Sequence, residues 1–169
     1  RVGLNLNFQE TDLSQKTDLS QEDSDLSQKT DLSQEDSEPV TLLMTGDVNW
    51  GRAVNYQIKV RNDFHYPFLE TADFLEEADL TIVNLESVLF KGCPLTNEGM
   101  KLCGSSGNIA GLVFAGVDIA SLANNHQGDF GQSALEETKG LLSQHGLASL
   151  DNEEVIIRKT KGTRLAFLA

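Results

Sequence analysis

Residues 80–86 read Leu80-Thr81-Ile82-Val83-Asn84-Leu85-Glu86, a run of strand formers that ends on an amide and a carboxylate. The same grammar recurs on either side. Upstream, Val40-Thr41-Leu42-Leu43-Met44-Thr45 is a short apolar run stopped by Gly46-Asp47. Downstream, Val117 to Leu122 reads as a third strand, followed by Asn124-Asn125-His126-Gln127-Gly128-Asp129. Helical patterns fall between and after these runs. Phe68 to Ala78 carries apolar residues at 68, 69, 72, 74, 75 and 78, a helical spacing. Asn108 to Ala115 is a short helix candidate. Gln132 to His145 is amphipathic, with Ala134, Leu135, Thr138, Leu141 and Leu142 on one face and Gly146 as its stop. Val155-Ile156-Ile157 and Arg164 to Leu168 are expected strands, with Lys161-Gly162 between them as a hairpin-like turn.

Strands alternating with helices predict a layered α/β domain with a largely parallel sheet. In such sheets ligands bind beyond the carboxyl ends of the strands. The residues expected there are Gly46-Asp47-Val48-Asn49, Asn84-Leu85-Glu86 and the run Asn124 to Asp129. An Asp, a Glu, an Asn and a His converging offer oxygen and nitrogen donors, which suit Mn, Mg, Fe or Zn. A metal pair held this way activates a water and clamps a phosphoryl oxygen. A His beside the metals protonates a leaving group.

Each residue also has a purely structural reading. Asp47 bonds backbone amides after its strand, and Glu86 faces solvent in a turn. Asn124 and Asn125 tolerate left-handed turns. Asp129 caps the helix that follows, and His126 is a satisfied loop histidine. What favours the functional reading is the coincidence of three sets at three successive strand ends. His65 has no such company and is placed in a loop. His145 is placed at a helix end, where it complements the dipole.

The 169 residues suffice for one domain. The net charge is −13, with ten acids and three bases in residues 1–38 and sixteen acids and ten bases in residues 39–169. A nucleic-acid partner would need a basic face to displace phosphate counterions, so no nucleic acid is expected. The acidic balance also discourages contact with anionic lipid. No run approaches the roughly 20 apolar residues of a membrane helix.

Residues 11–23, TDLSQKTDLSQED, are repeated at 24–36 with a change at the first position only. One Leu per six or seven residues buries too little surface to offset the chain entropy lost on ordering. Residues 1–38 are therefore expected to be a disordered acidic linker. A weak helix is the alternative, although one apolar position per heptad is half of what a coiled coil uses. The chain starts at Arg1 and ends within the apolar run Leu165-Ala166-Phe167-Leu168-Ala169, which reads as a fragment of a longer protein. Cys93 and Cys103, with nine residues between them, are either a disulfide of an oxidising compartment or two free thiols. A polar spacer suits an extracytoplasmic protein held clear of a membrane by an anchor upstream of Arg1.

Thr45-Gly46-Asp47-Val48-Asn49-Trp50-Gly51-Arg52 resembles the GDV-x-x-GR opening of the bacterial capsule synthesis protein CapA family, the poly-gamma-glutamate synthesis group. Residues 78–86 match its ADL-x-x-x-NLE segment, and residues 115–126 its AG-x-D-x-x-x-LANNH segment. Asp129-Phe130-Gly131 follows as that family's D-aromatic-G. The resemblance covers roughly residues 40–145. It implies a calcineurin-like metallophosphoesterase sandwich, in which sheets flanked by helices bind two divalent metal ions at strand ends. Asp47, Glu86 and Asn125 are the implied metal ligands, and His126 is the implied catalytic residue. Arg52, by its charge, and Asn124 are expected to hold an anionic group.

Two departures are visible. Asn49 stands where the broader fold has His, and Leu147 to Val155 lacks a glycine-rich turn. The expected activity is metal-dependent hydrolysis or transfer at a phosphate, or at an amide of an anionic polymer. The alternative is a non-catalytic polymer-binding or export component working with capsule-synthesis membrane proteins. A plain α/β domain with polar turns is the third reading. The fold's later His-containing motifs lie past Ala169, so this chain alone is expected to be inactive, with an exposed sheet edge.

Overall fold

A computed structural model describes residues 38–152 and 154–169. The expected linker lies outside the described residues, apart from Glu38. In chain order the strands are β1 (Leu42–Val48), β2 (Leu80–Leu85), β3 (Val88–Leu89), β4 (Cys103–Gly104), β5 (Ile119–Ser121), β6 (Ala148–Leu150), β7 (Ile156–Thr160) and β8 (Thr163–Phe167). The helices are α1 (Ala53–Arg61), α2 (Ala72–Glu76), α3 (Ile109–Phe114) and α4 (Gln132–Gln144).

The main sheet is parallel, in the order β1-β2-β5-β6. The predicted parallel α/β layer is therefore present, and Leu80–Leu85 is one of its two inner strands. Leu80, Thr81, Ile82, Val83 and Leu85 are all buried, the burial of a strand covered on both faces. β1 lies outside it and leaves Leu42 and Met44 exposed. The β1–β2 register shifts between Met44 and Asp47, where two residues of β1 stand against one of β2. This bulge sets Asp47 opposite Asn84, where an unbroken register would have set Gly46. β1 thus runs through Gly46-Asp47, which the sequence places beyond the strand.

Behind the sheet, Trp50, Ile58, Phe68, Leu85, Leu89, Leu112 and Leu142 form one buried cluster. Trp50 meets the edge of Phe68 at 5.6 Å between ring centres. The two strand exits are clamped together, because Glu86 N–H donates to Val48 O at 3.1 Å and Trp50 N–H donates to Ser87 Oγ at 2.8 Å. Thr138 lies on the predicted apolar face of α4 and works there as a polar tie. Its hydroxyl accepts from Leu89 N–H at 2.9 Å and donates to Ala134 O at 2.7 Å, joining α4 to β3.

β3 and β4 pair as a small parallel ladder, and Cys93 is disulfide-bonded to Cys103. β7 and β8 form a separate hairpin through Lys161 and Gly162, both at positive φ, as the turn reading expects.

Several boundaries differ from expectation. The helix predicted over 68–78 is a 3₁₀ turn at Tyr66–Phe68 followed by the short α2. Val155 is exposed and outside β7. α1 was not foreseen, because Asn55 and Ile58 are its only buried residues and it has no apolar stripe. Asp129 does not cap α4, whose N-cap is Gly131 with no side-chain cap.

Gly104 packs so closely that a Cβ there would lie 2.6 Å from Trp50 Cβ and 2.9 Å from Leu89 Cδ2. Gly104→Ala is expected to destabilise the fold by about 1–3 kcal/mol, read as a lower urea midpoint. Asp79 generates a pH dependence. Its Oδ2 accepts from Thr41 N–H and Thr41 Oγ1, both at 2.8 Å, and its Oδ1 lies 2.9 Å from Lys161 Nζ. The Thr41 N–H bond first, then Lys161 and the Thr41 hydroxyl, hold its carboxyl at about 2, below the ordinary 3.8. The stabilisation is full above the unfolded value and disappears as pH falls through the folded one. Asp79→Asn is expected to lower the melting temperature at neutral pH and to converge with the wild type near pH 2.

Candidate functional site

The carboxyl ends of β1, β2 and β5 carry two connected rows of polar side chains. In the first row, Asn84 Nδ2 donates to Asp47 Oδ1 at 2.6 Å. Asn124 Nδ2 donates to Asn84 Oδ1 at 3.1 Å and to Leu85 O at 3.0 Å. Asn124 Oδ1 in turn accepts from His126 N–H at 3.0 Å. In the second row, Asn49 Nδ2 donates to Glu86 Oε2 at 3.2 Å, while Asn49 Oδ1 accepts from Gly51 N–H at 2.7 Å. His126 Nε2 stands 3.8 Å from Glu86 Oε1. His126 Nδ1 lies 2.9 Å from Asp129 Oδ2, which also accepts from Leu102 N–H at 2.7 Å.

Sheet geometry explains this gathering. Parallel strands end on the same side, and the bulge in β1 delivers Asp47 to Asn84. The loop after β5 folds back because Asn124 spends its amide on β2. That amide is a brace between the loop after β5 and the end of β2. The side chains of His126, Glu86 and Asp129 are only 15%, 21% and 17% exposed, so solvent screens their interactions weakly. A carboxylate on Nδ1 selects the tautomer protonated there and leaves Nε2 bare toward Glu86. An imidazole held this way can take up a proton at Nε2 and return it to a departing group.

Of the residues expected at the site, Asp47, Glu86, Asn124 and His126 are brought together. Asn125 is exposed and, among the described residues, its side chain makes no hydrogen bond. Arg52 stays outside the cluster. It sits at φ 56° with Nη2 3.3 Å from Met100 Sδ. The sequence reading gives Asn49 and Asn84 no role of their own and gives Asp129 only that of a helix cap. Asn84 carried the best signal, as an amide inside an otherwise apolar strand. Asp129 was read as a cap and is instead the partner of His126.

The donor types suit a hard cation, and Asp47, Glu86 and Asp129 pair with no Lys or Arg among the described residues. The described residues do not by themselves complete a metal shell. Among the described residues no three His, Cys, Asp or Glu side chains group as a metal shell. Amide N–H groups hold one oxygen of Asp47 and one of Glu86.

Nitrogen chemical shifts of the neutral His126 ring are expected to report protonation at Nδ1. Asp129→Ala is expected to move the ring to the Nε2-protonated form. An unmoved tautomer would show that Asp129 does not set it.

The family model for the bacterial capsule synthesis protein PGA_cap matches residues 41–169. The uncharacterized protein y4uA of Sinorhizobium fredii is 31% identical over 113 residues, covering 63% of this chain and 23% of that protein. The capsule biosynthesis protein CapA of Bacillus anthracis is 24% identical over 142 residues, covering 78% of this chain and 34% of that protein. The chain spans about a quarter to a third of the length of these curated relatives. It belongs to the bacterial capsule synthesis protein PGA_cap family.

Proposed function

We propose that the chain serves the biosynthesis of a capsule or other surface polymer, and that the strand-end cluster is its reactive centre. The carrying observation is His126 set between Asp129 and Glu86 at the carboxyl edge of the sheet. In this reading His126 moves a proton at a phosphate or amide bond of an anionic polymer, Asp129 positions the ring, and Glu86 faces the reacting nitrogen. We place the domain with the layered metallophosphoesterase architecture, on the support of its parallel sheet and its polar strand ends. The Cys93–Cys103 bond supports an extracytoplasmic setting, since disulfides persist in oxidising compartments. Among the described residues no helix is long and apolar enough to cross a membrane.

A second reading keeps the polymer and drops the chemistry. Asn49 in place of His, and amides satisfying Asp47 and Glu86, favour a binding or export component on the same scaffold. Partnership with capsule-synthesis membrane proteins belongs to both readings.

His126→Ala in the intact gene is expected to cut surface polymer on the order of a hundredfold while the protein accumulates normally. Unchanged polymer would sink the catalytic reading and leave the binding one. No step in this proposal passes through a metal ion. Calorimetric titration of the chain with Mn²⁺ is accordingly expected to show no site tighter than about 1 mM. A tight site abolished by Asp47→Ala would restore Asp47, Glu86 and Asn125 as ligands.

A further inference from the structure

A second concave site lies apart from the strand-end cluster and shares no residue with it. It is a cavity of about 350 Å³ between α1, the disulfide-closed loop and the turn before α3. That volume is at the lower end of the range for small-molecule sites. Its lining includes Asn55, Lys59, Phe64, Lys91 and Leu95.

Three observations point to a ligand. First, among the described residues no acid lines it, in a chain of net charge −13. Lys59 and Lys91 bring two ammonium groups, and neither pairs with a carboxylate among the described residues. Second, Asn55 is only 3% exposed, and its amide donor has a weak partner. Its Oδ1 accepts from Ser105 N–H at 3.2 Å and from Asn108 Nδ2 at 3.1 Å. Among the described residues its Nδ2 has only the disulfide sulfur of Cys93, at 3.6 Å. Sulfur is a weak acceptor, so a buried amide donor lines the cavity with poor compensation. Third, Phe64 and Leu95 line the cavity while 40% and 45% exposed, giving it an apolar surface.

Cationic groups, a buried N–H donor and an apolar surface are complementary to one chemical class. We infer that this cavity binds an organic carboxylate carrying an aliphatic arm. The carboxylate accepts from Asn55 Nδ2 and neutralises Lys59 and Lys91, and the arm lies against Phe64 and Leu95. A free inorganic anion would leave the apolar surface unused. The inference is independent of the chemistry proposed for His126.

The test is an amide-resonance titration of the 169-residue chain with hexanoate, hexanamide and inorganic phosphate. Hexanoate is expected to give saturable shifts at Asn55, Lys59, Lys91 and Ser105 at roughly millimolar concentration. Hexanamide and phosphate are each expected to bind at least about tenfold more weakly. Lys59→Ala/Lys91→Ala is expected to weaken hexanoate by a similar factor with the remaining spectrum unchanged. Asn55→Asp, which places a like charge in the cavity, is expected to abolish binding; His126→Ala is expected to leave it intact. No saturable response to hexanoate overturns the inference. So does phosphate binding as tightly as hexanoate, or indifference to the loss of both lysines.

Discussion

The molecule depends on one strand being covered on both faces. β2 buries Leu80, Thr81, Ile82, Val83 and Leu85, and it pairs in parallel with β1 on one side and β5 on the other. A strand in that position cannot slip. A shift of one residue would carry the Asn84 amide into a buried apolar position. The fixed register then decides where Asn84 emerges, and Asn84 receives Asp47 from one neighbour and Asn124 from the loop after the other. Site geometry here is a by-product of burial. Side chains that never touch the core are placed by residues that never leave it.

The α/β class and the parallel order were legible because apolar runs alternated with helical spacing. The carboxyl-edge location of the site followed from that alternation alone. Other features left no such trace. The bulge in β1 is invisible as a pattern, since Thr45 and Gly46 read equally well as a strand end. α1 escaped because a helix that buries only Asn55 and Ile58 has almost no amphipathic signature. Asp129 was mistaken for a cap because its partners, Leu102 and His126, meet it only in three dimensions. Residue type and spacing reveal which groups gather; they do not reveal which oxygen each amide holds.

The amide-rich character of the edge has a physical meaning. An Asn side chain donates and accepts at once, so it can pass a hydrogen-bond chain from strand to strand without adding charge. Asn84 and Asn124 carry such a chain from the Asp47 carboxylate to the His126 backbone N–H, and Asn49 links the Glu86 carboxylate to the Gly51 N–H. Lysines in those places would neutralise the carboxylates, and apolar residues would leave them poorly solvated. The amides instead hold the acids in position while the edge keeps its negative field.

The disulfide acts beyond its own loop. Leu102 is the residue before Cys103, and its N–H is what Asp129 accepts before Asp129 reaches His126. Cross-linking Cys93 to Cys103 removes freedom from the intervening loop irrespective of what the rest of the chain does. The N–H offered to Asp129 is then already localised, and the carboxylate meets a fixed donor instead of recruiting a moving one. In the language of preorganisation, part of the entropy needed to aim the imidazole is removed covalently, two hydrogen bonds away from the ring it aims.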